Sequence, residues 1–171
     1  MINVEQATEE KSIPIIENIL MDAFIWLDGI GKPLWSKEQI SWARLSRDFT
    51  PSDFYIAFMD GASVGCMALI DYDQNFWPDV KKGQSLFIHK LAVKRVAAGQ
   101  GVSSALIDFA KNECIKRRIP ALRLDTHALI PKLRAVYERN GFTLVEERVL
   151  FGKYHTAFYI WEIENKMTLN S

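Results

Sequence analysis

Leu91-Ala92-Val93-Lys94-Arg95-Val96-Ala97-Ala98-Gly99-Gln100-Gly101-Val102-Ser103-Ser104-Ala105-Leu106 joins a continuous apolar run to an amphipathic one across two glycines and two serines. The apolar run, Leu86 to Val93, reads as a central strand. From Gly99 to Arg118 the positions Val102, Ala105, Leu106, Phe109, Ala110 and Cys114 fall at helical spacing. Lys116-Arg117-Arg118 ends that helix with the charge its dipole favours, and Pro120 stops it. A strand, a small-residue loop and a helix start leave backbone N–H groups free and let a ligand approach closely, the arrangement that binds phosphate-like anions. Two phosphate-binding patterns are excluded. A dinucleotide fingerprint needs glycine where Ser104 stands, and a P-loop needs Gly-Lys-Ser/Thr, which is absent. By itself the stretch fits equally well a tight strand-to-helix turn that binds nothing.

On the N-terminal side, Ile2 to Ala7 reads as a short strand, followed by a helix that Ser12 can cap and whose first turn accepts Pro14. Ile16, Ile19, Leu20, Ala23, Phe24 and Leu27 form its buried face. Asp28 to Pro33 is loop, and Ser36 can cap a second helix through about Leu45. Phe54 to Met59 and Ser63 to Ile70 form a hairpin around Asp60-Gly61. Asp71 to Gly83, polar and aromatic, reads as a long loop. On the C-terminal side come a strand at Leu122 to Thr126 and a short helix opened by Pro131, with Leu133, Val136 and Tyr137 facing inward. Asn140-Gly141 closes that helix, and strands Phe142 to Val149 and Tyr154 to Ile163 flank a Gly152-Lys153 turn. The order predicts an α/β (α+β) fold, one mixed sheet of about seven strands with about four helices on both faces, in a single domain over residues 1–171.

Composition agrees with a globular chain: 49% of its 171 residues are apolar and 25% are charged. Lys+Arg and Asp+Glu balance at 21 each, which argues against a protein that coats nucleic acid or an anionic membrane by charge. The longest apolar stretch, Ile13 to Leu27, is interrupted by Glu17, Asn18 and Asp22, so no spanning helix is expected; nor does the N-terminus read as a signal peptide. Two cysteines, Cys66 and Cys114, are too few for a disulfide framework or a metal knuckle, and the expectation is a reduced, cytoplasmic protein without a metal. The neutral total is uneven. Residues 1–80 carry 5 basic and 13 acidic side chains, whereas residues 81–118 carry 9 basic and 2 acidic.

A second stretch, Arg134-Ala135-Val136-Tyr137-Glu138-Arg139-Asn140-Gly141-Phe142, adds to the first. Together they resemble the GNAT superfamily of N-acetyltransferases. Leu91-Ala92-Val93, a five-residue spacer and Gly99-x-Gly101 before an amphipathic helix look like that family's acetyl-CoA motif, and Tyr137 to Phe142 looks like its Tyr-x-x-x-Gly-Phe signature. The order of elements over nearly the whole chain is also similar. The resemblance implies a mostly antiparallel sheet that splays between its fourth and fifth strands. Pantetheine would pair with backbone near Leu91, Ala92 and Val93 and lie against Leu133, as an added strand would. The pyrophosphate would sit on the amides of Ala98, Gly99, Gln100, Gly101, Val102, Ser103 and Ser104. Tyr137 would protonate the departing thiolate, and the acceptor amine would attack the thioester directly. Val96, Ala98 and Ile130 depart from the family's usual Gln or Arg, basic residue and Asn, which leaves Lys94 and Arg95 to supply charge.

The acceptor side is less specific. An ammonium must lose a proton before it attacks, and His89 and Asp125 are the candidates to receive it. Strand alternation puts His89 on one face with Phe87, Leu91 and Val93, where a structural imidazole is the commoner case. Asp125 and His127 flank Thr126 at the splay; His155 has no evident role. Trp35, Phe24 and His127 are the candidates to touch substrate. Two functions remain open: an acetyltransferase using acetyl-CoA and a small primary amine or a peptide amine, and a non-catalytic acyl-CoA-binding or sensing module. A basic half for the phosphates and an acidic half for a cationic amine would give the uneven charge a meaning. Aromatics of the Asp71–Gly83 loop and the last strand suggest a homodimer surface.

Overall fold

The computed structural model describes residues 1–164. Its sheet has seven strands: β1 (Ile2–Gln6), β2 (Phe54–Met59), β3 (Ala62–Ile70), β4 (Ser85–Val93), β5 (Ala121–His127), β6 (Thr143–Leu150) and β7 (Tyr154–Glu162). Their spatial order is β1-β2-β3-β4-β5-β7-β6, and every neighbouring pair is antiparallel except β4 and β5. Four helices are α1 (Ile13–Gly29), α2 (Trp42–Leu45), α3 (Val102–Arg117) and α4 (Pro131–Arg139). The expected mixed, mostly antiparallel sheet with helices on both faces is what forms.

The parallel pair is short. β4 and β5 are in register only at Ser85–Ala121, Leu86–Leu122 and Phe87–Arg123. Beyond those residues each strand keeps only its outer neighbour, β3 for β4 and β7 for β5. The sheet therefore opens into the expected splay, and the β5-facing backbone of β4 from His89 onward has no strand partner.

One core lies between the sheet and α3 with α4, holding Val102, Leu106, Ile107, Tyr137 and Phe142. A second lies under α1, with Ile16, Ile19, Leu20, Ile40 and Phe54. Each fully buried aliphatic or aromatic side chain contributes about 1.5–3 kcal/mol. The start of α3 is thus held by core packing, not by its loop. Gly65 permits this packing: a Cβ there would stand 2.8 Å from Val102 Cγ1 and 3.0 Å from the Ala92 carbonyl.

Four local expectations are corrected. Ser12 does not cap α1; it sits at the end of a 3-10 turn with helical backbone angles and makes no capping bond. The second helix shrinks to one turn, because Ser36 and Gln39 bond each other's N–H groups and Ser41 caps the helix at Trp42. In β4 a bulge puts Lys90 at φ 52°, with Cys66 opposite Ala92 and Ala68 opposite His89. The alternation reverses there. Leu91 and Val93 join Leu86 and Ile88 on the α3 face, while His89 stays with Phe87 on the other, 5.8 Å from the Phe49 ring. Finally, Trp77 does not lie open for a dimer contact; it is buried against Phe87 and Phe158, although Tyr72, Phe151 and Tyr154 are exposed.

Candidate active site

The loop between β4 and α3 reaches the helix through Gly99 at φ 75° and Gly101 at φ 84°, left-handed backbone that glycine adopts without a Cβ penalty. The first helical bond runs from the Ala105 N–H to the Gly101 carbonyl at 3.0 Å. Val102, Ser103 and Ser104 precede it, so their N–H groups have no helical acceptor and converge at the positive end of the dipole. Two expected amides are already used. Ala98 donates to the Arg95 carbonyl at 3.1 Å, closing a 3-10 turn, and Gln100 to the Ala97 carbonyl at 3.3 Å across the β-turn that follows. The Gln100 side chain also folds back, donating to the Val96 carbonyl at 3.2 Å.

A cavity of about 820 Å³ opens over these amides. Leu91, Ala92 and Val93 form its β4 wall, Ala98, Gly99 and Gly101 to Ser104 its floor, and Leu133 and Tyr137 its α4 wall. Three cations, Arg95, Lys132 and Arg139, also line it, which suits an anionic ligand. Arg95 is pinned: its N–H donates to Asp22 Oδ2 at 2.7 Å, and its guanidinium lies 4.4 Å from the Trp26 ring centroid. Sequence reasoning missed Asp22 and Trp26, whose only signal was their place on the less buried side of α1. Of the positions that depart from the family pattern, Ala98 lines this cavity, Val96 is exposed and Ile130 is buried.

A second cavity, about 310 Å³, lies across the splay. His89, Lys90, Asp125, Thr126, His127 and His155 line it with Trp35, Phe151 and Tyr154. Phe24 reaches neither cavity; it packs half-buried on the core under α1. Trp35 reaches both, and the Lys90 ammonium stands 5.3 Å from its ring centroid. Burial lowers the Lys90 pKa while Asp125 raises it. His127 accepts the Leu129 N–H on Nδ1 at 3.1 Å, and burial together with the neighbouring His155 makes its imidazole less basic. Neither Lys90 nor His155 was singled out, since a bulge and a neighbouring strand bring them in.

Burial pushes the Asp125 carboxyl above the ordinary carboxylate range; His89 and Lys90 oppose that and Asp73 adds to it. His89 Nε2 and Asp73 Oδ2 are 3.1 Å apart, and one polar atom from each of Asp73, His89 and Asp125 falls within 4.8 Å of the others. Among the described residues this is the group close enough to share a proton or a small cation. Tyr137 stands between the two cavities and lines both. Its ring packs on Phe142 and Tyr159, and burial, reinforced by the Asp125 charge, keeps its hydroxyl protonated well beyond neutral pH. α4 holds it there through Arg134, which donates to the Tyr159 hydroxyl at 2.9 Å and to Glu147 at 2.5 Å.

The model of the acetyltransferase (GNAT) family matches residues 13–142. The chain belongs to this family. A curated relative from Bacillus subtilis strain 168, the uncharacterized N-acetyltransferase YesJ, is 31% identical over 94 residues, 55% of this GNAT chain. The match spans about half, 49%, of that relative. Solved structures share the GNAT fold. A GNAT-family acetyltransferase from Listeria monocytogenes 4b F2365 superposes with a TM-score of 0.75 at 20% identity, covering 95% of each chain. The ribosomal-protein-S18-alanine N-acetyltransferase of Escherichia coli gives 0.69 at 18% identity, covering 100% of this chain and 99% of its own. N-acetylglutamate synthase from Neisseria gonorrhoeae, solved with coenzyme A and N-acetylglutamate, gives 0.68 at 18% identity over 96% of this chain and 35% of its own. No helix among the described residues is long and apolar enough to cross a membrane.

Proposed function

We propose that this GNAT chain transfers the acetyl group of acetyl-CoA to a primary amine of a small molecule, working in the cytoplasm. One observation carries the reading: two cavities on opposite sides of the β4–β5 splay meet at Tyr137. The larger has what coenzyme A needs, an unpartnered strand backbone for pantetheine and free α3 amides with three cations for the phosphates. That one structural neighbour holds coenzyme A agrees with this choice. The smaller cavity admits the amine beside Asp125 and His89.

With the thioester at the splay, a backbone N–H of β4 polarises the acyl carbonyl. The amine, stripped of a proton on the Asp125 side, attacks that carbonyl. The carbon–nitrogen bond forms as the carbon–sulfur bond breaks, and Tyr137 gives its proton to the leaving thiolate. A phenol held neutral by burial is suited to that task. Thiol release from acetyl-CoA, measured across a panel of primary amines, tests the reading. Release with an amine from the panel, above hydrolysis without amine, is the expected result. Tight acetyl-CoA binding with no release from any amine would leave only an acyl-CoA sensor.

A further inference from the structure

The segment between β3 and β4 has no part in the reaction as drawn, yet it is folded around one carboxylate. Asp73 is buried; its Oδ1 accepts the Phe76 N–H at 3.1 Å and its carbonyl accepts the Trp77 N–H at 2.9 Å. Trp77 is clamped between Phe87 and Phe158, with the Arg123 guanidinium 4.9 Å from its ring centroid. The neck of the loop is closed by Asp71, which pairs with Lys82 at 2.6 Å and accepts the Gly83 N–H at 3.0 Å. All this presents Asp73 Oδ2 to His89 Nε2 at 3.1 Å. Both atoms are sealed from solvent and neither has a hydrogen-bond partner among the described residues, so each is the nearest polar group the other has to answer it. A buried carboxylate left without a partner is unfavourable, so a fold that assembles one against an imidazole holds it for that contact.

The placement has a direction. His89 and Asp125 line the smaller cavity, while Asp73 stands behind His89 and does not. We propose that Asp73 is a positioning residue for acetyl transfer: it fixes His89 through a shared proton, so that His89 and Asp125 together receive the proton surrendered by the acceptor ammonium. The inference rests on the acetyltransferase reading above. One N–H bond of the ammonium breaks, its electron pair stays on nitrogen, and the proton passes to the Asp125–His89 pair and then to water through the open cavity. The amine then attacks. Its second proton leaves as the amide forms and replaces the one Tyr137 gives to sulfur. Asp125 is faced by His89 and Lys90 from β4, Asp73 from the loop and Tyr137 from α4.

Asp73→Asn in the full chain tests this, assayed with acetyl-CoA and the amine that releases most thiol. The expected result is a fall in kcat of about tenfold to a hundredfold, part of the ~10²–10⁴ that a positioned acid or base supplies, with KM for acetyl-CoA unchanged. The acid limb of kcat/KM should move to lower pH, because a negative charge that raises Asp125 has gone, and Asp73→Glu should return it toward its wild-type position. In the wild type, NMR should show a downfield imidazole N–H proton of His89 that Asp73→Asn removes; the wild-type signal can be read whether or not the variant folds. Unchanged kcat, a uniform loss with no movement of the limb, or absence of that proton in the wild type would overturn the proposal. So would activity lost on dialysis against EDTA and restored by a divalent cation, which would make the cluster a cation site. If the wild type releases no thiol with any amine, the acetyltransferase reading itself fails; if it turns over and the variant matches it, only this inference does.

Discussion

The cavity over α3 takes half of its lining from one continuous run, residues 91 to 104, which brings the free backbone of β4 and of the α3 start. The cavity across the splay draws its charged and imidazole groups from β4, β5 and β7 and its aromatics from the loop before α2, the β3–β4 loop, α4, the β6–β7 turn and the start of β7. The first kind of site survives most changes of side chain, because an amide is present whatever residue carries it. The second depends on how distant segments are brought into contact. Tyr137 belongs to both, so it separates the chemistry from the binding on either side.

Tyr137→Phe should show this most sharply. Turnover should fall by about 10²–10⁴, with the acetyl-CoA Kd from calorimetry unchanged, since the ring still fills its place against Phe142 and Tyr159. A parallel loss of acetyl-CoA affinity would erase the distinction. Gly65→Val attacks the α3 side from beneath. The added Cβ meets Val102 Cγ1 at 2.8 Å and the Ala92 carbonyl at 3.0 Å, so α3 must shift. We expect about 1–3 kcal/mol of lost stability in denaturant titrations and weaker acetyl-CoA binding. If the KM for the amine suffers more than that for acetyl-CoA, the two cavities are less separate than their walls suggest.

Asp125→Asn should move activity and stability in opposite directions. A carboxyl raised by burial holds its proton more tightly when folded than when unfolded, so ionising it destabilises the fold. The penalty is absent below the unfolded value of ~3.9 and is complete once pH has risen through the folded one. At neutral pH the variant should therefore melt a few degrees higher while turning over poorly, and the difference in Tm should shrink as pH approaches that of an ordinary carboxylate. A lower Tm at neutral pH would show that Asp125 is held by its partners more than it is strained by burial. The smallest effect concerns the thiols. Cys66 and Cys114 are free and buried, and burial pushes Cys114 up to about 11 and Cys66 higher still. Neither should react with a thiol reagent until the chain unfolds, so thiol-release assays should need no correction for the protein's own sulfur.

Much of the cofactor side was legible because its signals are local. Gly99 and Gly101 announce left-handed backbone, the following apolar positions announce a helix, and a helix start carries free amides by construction. Even there, the loss of the Ala98 and Gln100 amides to two successive tight turns was invisible, since turns of that size depend on angles that many sequences can adopt. The acceptor side failed at definite points. Period-two alternation placed His89 with Leu91 and Val93, and one extra residue at Lys90 turned those two to the opposite face. The uneven charge did not map onto the cavities either. The acidic side chain lining the smaller one is Asp125, outside the acidic first block, while Lys132 and Arg139 serve the larger from outside the basic one.

The sequence by itself determined the order and kind of nearly every element, the anion-ready start of α3 and the placing of Tyr137 on a helix that must pack on the sheet. These follow from periodicity, glycine conformation and helix ends, which act within a few residues. Only the tertiary structure decided that β4 and β5 part after three residue pairs, that a bulge parts His89 from Leu91 and Val93, and that a loop with no function in view delivers Asp73 to it. Those outcomes depend on register and on contacts between segments far apart in the chain, and no local pattern encodes them.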